Sequence, residues 1–462
     1  MHHPGKHTAP RRTRTASRRA LIAVSLCCTA ALILASCSTV PAKVAALRPY
    51  DAPAPVTTMK VPYPILLLHG LGQKADVWEG AGMTYFRKDL GLSFGGTLKF
   101  DRHRLAPLLR SGPADADFYT VSFSNPHDSI NAWRDELEQA IQYVLTNTGA
   151  ERVILIGYSM GGLASRAYLT KRYTDHHVKR LITIGTPHLG SPYARAWTWL
   201  TSMQDCAASN NPLLSIPCST AVSTMQSVRG DVPFDAPALR DLRRPEDGGT
   251  YLRALGKYAH PLDVEYVSVV GEVDMFQGIR QFSEGWMQEL LRKAMAVTGG
   301  GMSELFEPGD GVVSAKSQDI MNIEYFAADP ARKRAARTVT VGSVHVAHLQ
   351  ESTEIQRIAL DEKPEFKGAE IMRIGDTPAV IVDLADHLPS LCRLRLDIRT
   401  DAGTTTVEPE RGASQLVRTR DGIVSRFVVP LPVTQPMLDG PVSIRITITN
   451  SYGHRTTASK DW

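Results

Sequence analysis

Several features that mark other protein classes are missing from this sequence. The 462 residues include only six cysteines, and no group of cysteines and histidines has the spacing of a metal site. Tandem repeats and low-complexity tracts are absent after the N-terminal region, which argues against a solenoid or a disordered chain. We therefore expect a folded protein with no metal and no cofactor.

Acidic residues are missing from the start of the chain. Residues 1–19 contain six basic residues and no acidic one. Without residues 1–36 the net charge changes from +5 to −1. The basic character thus belongs to the N-terminus and gives no indication of a nucleic-acid partner.

A long apolar run is also missing. The uncharged stretch at 20–36 is short for a membrane span. A basic segment, an apolar segment and small residues before a cleavage point describe a secretory signal peptide over residues 1–36. Whether export uses the Sec or the twin-arginine route stays open.

The end of this segment, Leu34-Ala35-Ser36-Cys37, resembles a bacterial lipobox. The resemblance implies cleavage before Cys37, acylation of its thiol and a lipid-anchored protein of the cell envelope, on the outer membrane or periplasmic face if the host is Gram-negative. The alternative is ordinary secretion, with Cys37 in the discarded peptide. Residues 37–60 are expected to form a tether between the lipid and the first domain.

Two further cysteines, Cys206 and Cys218, lie close together in a chain that we expect to reach an oxidising compartment. We predict a disulfide between them. Cys392 has no such neighbour and is expected to be a buried free thiol.

Strands and helices alternate over residues 61–362. Apolar runs at short intervals predict buried strands, and an apolar stripe within 128–148 predicts a helix. The predicted strands are 65–68, 119–123, 153–156, 181–184, 267–270 and 338–341. This pattern indicates an α/β fold with a doubly wound, mostly parallel sheet, whose active site lies at the carboxyl ends of the strands.

Two other regions depart from this pattern. Residues 191–262 hold a cap insertion whose tryptophans and methionine suit either an apolar substrate or the core of the cap itself. After about residue 363 short strands are separated by turns, for example at 394–398 and 442–448. We expect residues 363–462 to form a β-sandwich module of immunoglobulin-like type.

The most informative motif is Gly157-Tyr158-Ser159-Met160-Gly161, between a predicted strand and a predicted helix. This context is typical of the nucleophile elbow, a crowded turn where small flanking residues let a serine hydroxyl stand above the sheet. A simpler interpretation is a serine in a tight glycine turn. We favour Ser159 as a nucleophile.

Oxyanion donors are expected from two backbone amides. One is the residue after the nucleophile, Met160, and the other lies in the loop after an early strand, here Leu71 in His69-Gly70-Leu71-Gly72. We interpret His69 as a residue that shapes this loop. It precedes the elbow, whereas in folds with such an elbow the catalytic residues follow one another in the order serine, acid and histidine.

The acid and the base should therefore follow Ser159. Asp310, flanked by glycines in Gly309-Asp310-Gly311, is the favoured acid, and Asp274 is the rival. The base is His345 or His348, just after the last predicted strand. A capping box at Thr353 predicts the next helix, and His345 fits the spacing to that helix better.

These motifs, with Gly185-Thr186-Pro187-His188-Leu189-Gly190, resemble the bacterial esterase/lipase branch of the α/β-hydrolases over residues 60–361. They are also similar to GPI-inositol deacylases and lecithin–cholesterol acyltransferases. The resemblance implies a triad of Ser159, Asp310 and His345, with Leu71 and Met160 as oxyanion donors. Tyr158 stands where many relatives have histidine.

The sequence thus predicts a serine hydrolase that cleaves lipid or other apolar esters through an acyl-enzyme. One alternative is an acyltransferase that uses the same triad. A second is an envelope binding protein that has kept a hydrolase scaffold without its catalysis. The expected partners are the ester substrate and, through the anchor, a membrane, whereas the oligomeric state stays open.

Overall fold

The computed structural model describes residues 40–53, 59–106, 115–191, 235–273, 308–349, 360–410, 413–419 and 422–462, with isolated positions between 194 and 233. The predicted signal peptide, Cys37, Cys206, Asp274, Thr353 and most of the predicted cap lie outside these residues.

Eight strands form the central sheet. Their bounds are β1 Ile65–Leu68, β2 Phe94–Asp101, β3 Arg104–Leu105, β4 Phe118–Ser122, β5 Val153–Tyr158, β6 Val178–Ile184, β7 Glu265–Gly271 and β8 Ala336–Val341. They lie in the order β3-β2-β4-β1-β5-β6-β7-β8. All neighbours are parallel except the hairpin of β2 and β3, which confirms the predicted fold class.

The helices of the described chain vary from single turns to nineteen residues. They are α1 Ala42–Ala45, α2 Ala81–Thr84, α3 Ile130–Thr148, α4 Met160–Lys171, α5 Pro237–Asp241, α6 Tyr251–Lys257, α7 Ala315–Gln318, α8 Glu324–Ala327 and α9 Gln435–Asp439. Short 3₁₀ or π turns lie at Ala75–Trp78, Tyr85–Asp89, Pro245–Asp247, Ile320–Asn322, Arg332–Ala335, His345–Ala347 and Pro389–Leu391. In the described part of the chain no helix has the length and apolar character needed to cross a bilayer.

Helix α3 shows how the sequence sets an element's ends. Ser129 caps it, with its Oγ accepting a hydrogen bond from the Ala132 amide at 3.2 Å. Gly149 ends it in the left-handed region at φ 66° and donates its amide to Leu145 O at 2.9 Å. The apolar stripe between these caps is buried against the sheet, as its spacing predicts.

Apolar side chains cover both faces of the sheet. One core cluster packs β-strand residues against α3 and α4, and a second covers the other face around Trp78 and Phe86. All six residues of β5 are buried. The strand that carries the elbow is therefore fully enclosed, as is its neighbour β1, and this fixes the position of its last residue.

The described residues of the C-terminal β-unit form eight strands. They are β9 Glu365–Ile374, β10 Thr377–Ala385, β11 Arg393–Thr400, β12 Gly403–Val407, β13 Ser414–Thr419, β14 Gly422–Pro430, β15 Ser443–Thr449 and β16 Arg455–Asp461. They form two antiparallel sheets, β13-β14-β10-β9 and β12-β11-β15-β16, around one shared apolar core. This is the predicted all-β module, and its immunoglobulin-like type stays a prediction.

The β-unit contacts the central sheet through apolar and ionic groups. Leu388 belongs to the same core cluster as Trp78 and Phe86, and Tyr452 packs against it. Buried Arg180 on β6 pairs with Glu362, just before β9. The two parts of the chain therefore share a core as well as a peptide link.

Residues 40–53, part of the segment that we expect to act as a tether, contact the C-terminal β-unit. The Lys43 Nζ donates to Met437 O at 2.8 Å and to Gly440 O at 2.9 Å, and it lies 4.5 Å from the ring centroid of Trp462. Pro49 forms a parallel bridge with Arg373 at the edge strand β9. Composition missed this docking because it depends on partners about 400 residues away.

The two cysteines within the described chain behave differently. Cys218 is disulfide-bonded. Cys392 is a buried free thiol, as predicted, and burial raises its pKa. A thiol held protonated in this way is a poor nucleophile.

Candidate active site

Ser159 lies at the sharp turn between β5 and α4, with φ 50° and ψ −122°. Such a positive φ is strained for a residue with a side chain. Its flanking glycines make the turn possible, because a Cβ at Gly157 would lie 2.5 Å from Gly162 N and one at Gly161 would lie 2.6 Å from His69 O. The structure thus has the predicted elbow geometry at Ser159.

Two hydrogen bonds connect Ser159 to a histidine and an acid. His345 Nε2 is 3.2 Å from Ser159 Oγ, and His345 Nδ1 is 2.7 Å from Asp310 Oδ2. The His345 amide also donates to Asp310 O at 2.8 Å. The three side chains that sequence order selects are therefore in contact in the order that proton transfer requires.

Asp310 is fully buried, and its carboxylate is held by hydrogen bonds. Its Oδ1 accepts from the amides of Val312 at 3.0 Å and Val313 at 2.8 Å. Burial alone would raise the pKa of this carboxyl, but the charge and hydrogen bonds of His345 and His348 lower it to about 2. Asp310 is therefore ionised at neutral pH.

His348 does not reach the serine. Its Nε2 lies 3.3 Å from Asp310 Oδ2, so the two histidines flank the same carboxylate oxygen. Only His345 contacts both Ser159 and Asp310. The geometry thus favours His345 over His348 as the base.

The oxyanion loop follows β1. The Gly72 amide donates to Pro126 O at 3.0 Å, and the Gly70 amide donates to Gln73 Oε1 at 3.1 Å. Leu71 lies between them and lines the cleft in front of Ser159. Met160 is the first residue of α4, a position whose amide has no acceptor within the helix.

His69 is fully buried beneath this loop. Its Nδ1 lies 2.9 Å from Gly70 O, and its Nε2 accepts from the Phe123 amide at 3.3 Å. These partners require a neutral ring, and burial lowers the pKa of His69 to about 4. His69 therefore supports the loop and takes no part in the Ser159 hydrogen-bond chain.

Two further described residues contact His345 or its bond to Asp310, and sequence reasoning assigned neither of them this role. The Tyr158 hydroxyl donates to His345 O at 2.8 Å, and burial raises the pKa of this phenol. Gly185, after β6, packs its backbone against the contact between His345 and Asp310. The available signals were the place of Tyr158 next to the nucleophile and the place of Gly185 in the motif after β6.

A cleft of about 600 Å³ opens above Ser159. Its described walls are mainly apolar and come from the oxyanion loop, the segment after β6, helix α5 and the loop of Asp310. They include Leu71, Pro187, Leu239, Leu242, Val312 and Val313. The site can therefore accept an apolar group next to a reactive hydroxyl.

Two side-chain clusters have the composition of a metal site. In Asp310, His345 and His348 the candidate ligand atoms already contact one another or Ser159. The other cluster among the described residues, Glu362, Asp386 and His387, adjoins Arg180, which pairs with both Glu362 and Glu265.

An elbow serine on a parallel sheet, hydrogen-bonded to a histidine that is in turn hydrogen-bonded to an acid, is the arrangement of the α/β-hydrolase fold. Residues 63–211 match the family model of the PGAP1-like alpha/beta domain. The chain thus has an α/β-hydrolase fold and, over this segment, is similar to that family.

Relatives in sequence match part of the chain. A triacylglycerol lipase of Pseudarthrobacter phenanthrenivorans is 33% identical over 132 residues, which is 29% of this chain and 35% of that protein. A GPI inositol-deacylase of Candida albicans is 30% identical over 95 residues, or 19% of this chain and 23% of that protein. The chain thus spans about a third or less of the length of these curated relatives.

Solved structures resemble the chain more loosely. The mature lipase BlEst2 of Bacillus licheniformis is 19% identical, with 67% of this chain and 94% of that one covered, at a TM-score of 0.38. Phospholipase PlaB of Legionella pneumophila is 10% identical, with 86% and 89% covered, at a TM-score of 0.34. The fold assignment rests on strand order and not on these scores.

Proposed function

We propose that this protein is a carboxylic-ester hydrolase that acts through a covalent acyl-enzyme on Ser159. The observation that carries the proposal is the continuous hydrogen-bond chain from Ser159 Oγ through His345 to Asp310 Oδ2. A strained, partly exposed serine with an oriented base is the arrangement that activates a hydroxyl for acyl transfer.

The reaction uses each group in turn. His345 Nε2 takes the proton of Ser159 while the serine oxygen attacks the ester carbonyl carbon. The amides of Leu71 and Met160 bind the oxyanion, and loss of one such donor typically costs roughly 10²–10³ in rate. His345 then protonates the leaving alcohol and afterwards deprotonates the water that releases the acyl group, while Asp310 stays ionised.

The substrate is proposed to be an ester with an apolar acyl group. The described cleft walls are mainly aliphatic, and an apolar chain lying there would lose contact with water. Relatives named triacylglycerol lipase and GPI inositol-deacylase support an acyl ester as the substrate class. Hydrolysis of p-nitrophenyl esters of increasing chain length would define the preferred acyl group.

A fluorophosphonate probe tests the nucleophile directly. The wild-type protein should be labelled at Ser159, and Ser159→Ala should not be labelled while its circular dichroism spectrum stays unchanged. His345→Ala should lower kcat by several orders of magnitude. A folded wild-type protein that neither reacts with the probe nor cleaves any ester in the series would identify a binding protein instead.

We also propose that the protein is anchored at the cell envelope by acylation of Cys37. Cys37 precedes the docked residues at 40–53 by a few residues, which span about 10 Å at most. The anchor would then hold the C-terminal β-unit close to the membrane. Labelling with a fatty-acid analogue in cells should mark the wild-type protein, and Cys37→Ala should be unmarked and soluble.

A further inference from the structure

The carboxylate of Asp310 is held on all sides, and one of its partners has no part in the proposed reaction. Oδ1 accepts from the amides of Val312 and Val313, and Oδ2 is shared by His345 Nδ1 at 2.7 Å and His348 Nε2 at 3.3 Å. His348 is fully buried. A buried ring aimed at the oxygen that orients the base is placed to influence that base.

The His348 ring is fixed by the backbone around it. A Cβ at Gly271, the last residue of β7, would lie 2.5 Å from His348 Cε1. Gly271 is in turn held by Gln318, whose Oε1 accepts its amide at 2.7 Å and whose Nε2 donates to Val313 O at 2.8 Å. One backbone assembly therefore positions His348 and the loop of Asp310 together.

We propose that His348 is a positioning residue that acts on the base through Asp310. Its Nε2–H donates to Oδ2, which fixes the carboxylate and reduces the negative charge that Oδ2 presents to His345. This inference rests on the proposed function, since it concerns the same hydrogen-bond chain. His345 keeps its proposed role as the base.

The titratable groups that face His345 come from three separate elements. They are Asp310 from its loop, Ser159 and Tyr158 from the end of β5, and His348 from the same turn as His345. His348 in turn faces Asp310 and His345. Loss of the His348 donor would leave more charge on Asp310, and this would favour the protonated form of His345.

Two substitutions distinguish the effect of the N–H donor of His348 from the effect of its ring. His348→Phe keeps a planar ring and loses the N–H, whereas His348→Gln keeps an N–H at a similar distance from the backbone. We expect His348→Phe to move the acid limb of kcat/KM to higher pH by roughly half a unit to one unit, and to lower kcat by about 10-fold. KM should change little, and His348→Gln should restore both quantities most of the way.

A double-mutant cycle checks that the effect passes through Asp310. In an Asp310→Asn background, the change from His348 to Phe should cost much less than in the wild type. Equal pH profiles for wild type and His348→Phe, or a cost that is the same in both backgrounds, would overturn the proposal. If His348→Phe does not fold, His348→Asn replaces it, because its shorter side chain does not reach Oδ2.

The same samples distinguish this proposal from the proposed function. Fluorophosphonate labelling of the wild-type protein reports on Ser159 and is independent of His348. An unlabelled wild type would contradict the hydrolase proposal itself. A labelled, active wild type whose pH profile is insensitive to the donor at 348 would contradict only the role of His348.

Discussion

At the scale of single residues, the contact between Asp310 and His345 is enclosed by backbone as well as by side chains. Gly185 has φ 58°, and a Cβ on it would lie 3.0 Å from His345 Nδ1 and 3.1 Å from Asp310 Oδ2. These two atoms are 2.7 Å apart. A side chain at 185 would therefore push on both ends of the hydrogen bond that orients the base.

We predict that Gly185→Ala lowers kcat by roughly 10- to 100-fold, because small displacements of an oriented base are costly. KM should change less, since neither atom belongs to the substrate cleft wall that binds the acyl group. The left-handed backbone adds a stability cost of about 1 kcal/mol for alanine. Steady-state kinetics and urea unfolding measure the two effects separately.

Gly149 provides the matched control for Gly185. It has φ 66°, and a Cβ on it would have no neighbour within 4 Å. Gly149→Ala should show the same loss of stability with kcat unchanged. If both variants lose activity equally, the backbone strain and not the contact at His345 would be responsible.

At the scale of elements, the sequence predicted most of what positions the site. The runs that became β1, β5, β6 and β7 are continuous and apolar, so strand and burial follow from one local signal. The elbow adds a second local signal in its glycines. Fold class and the position of Ser159 could therefore be predicted without long-range information.

Elements whose signal depends on distant partners could not be predicted in this way. Strand β2 contains Gly95 and Gly96, which usually weaken a strand, yet a Cβ at Gly95 would lie 2.1 Å from the Tyr119 ring of β4. Edge strands β12 and β16 are polar, and most of their residues are exposed. Their order comes from pairing with β11 and β15, which composition does not reveal.

The same limit applied to the site. The spacing to the next predicted helix favoured His345, and the flanking glycines favoured Asp310, but His348 and Asp274 stayed as alternatives. The role of Gly185 and the Tyr158 bond to His345 O depend on how β6 and β8 place their following loops. These contacts join residues far apart in the chain, and only the packed structure shows them.

At the scale of the whole molecule, several buried histidines are held neutral. Buried Arg166 on α4 donates from Nε to His260 Nε2 at 3.3 Å, and its Nη1 lies 3.1 Å from His188 Nδ1. Burial and the charge of Arg166 lower the pKa of His260 to about 3 and that of His188 well below its usual value. His69, with a pKa of about 4, behaves similarly through burial.

These shifts predict a loss of stability in mild acid. As pH falls below about 6.5, the unfolded chain protonates these histidines and the folded chain does not, so protons favour unfolding. Their contribution is fully present above pH 6.5 and should fall by roughly 1.4 kcal/mol per pH unit for each histidine as pH drops towards 4. Urea unfolding between about pH 7.5 and pH 5 measures this slope, above the range where Asp310 and Glu362 titrate.

His260→Gln is the test variant for this slope, because glutamine can still accept from Arg166 and cannot be protonated. It should remove about one histidine's share of the pH dependence. The free energy of unfolding at neutral pH should stay about the same. If His260→Gln leaves the slope of unfolding free energy against pH unchanged, the His260 ring must be protonated in the folded state as well.

The shared core also predicts how the molecule unfolds. Leu388 belongs to the C-terminal β-unit by sequence, but its buried side chain lies in the core cluster of Trp78 and Phe86. Leu388→Ala should therefore cost about 2–5 kcal/mol through a cavity at the contact between the two parts. Because that contact is apolar and is reinforced by Arg180 with Glu362, we expect one cooperative transition for the whole chain.

Hydrogen exchange tests this prediction, because it reports on each part of the chain separately. Leu388→Ala should speed exchange in both Tyr85–Asp89 and β10, since both lose the same packing. Leu396→Ala, which opens a cavity only in the core between the two β-sheets, is the matched control. If the two parts were independent, Leu396→Ala would affect β10 without lowering the temperature at which esterase activity is lost. If the two parts are coupled, both substitutions should lower that temperature, because the α/β part then unfolds together with the β-unit that completes its core.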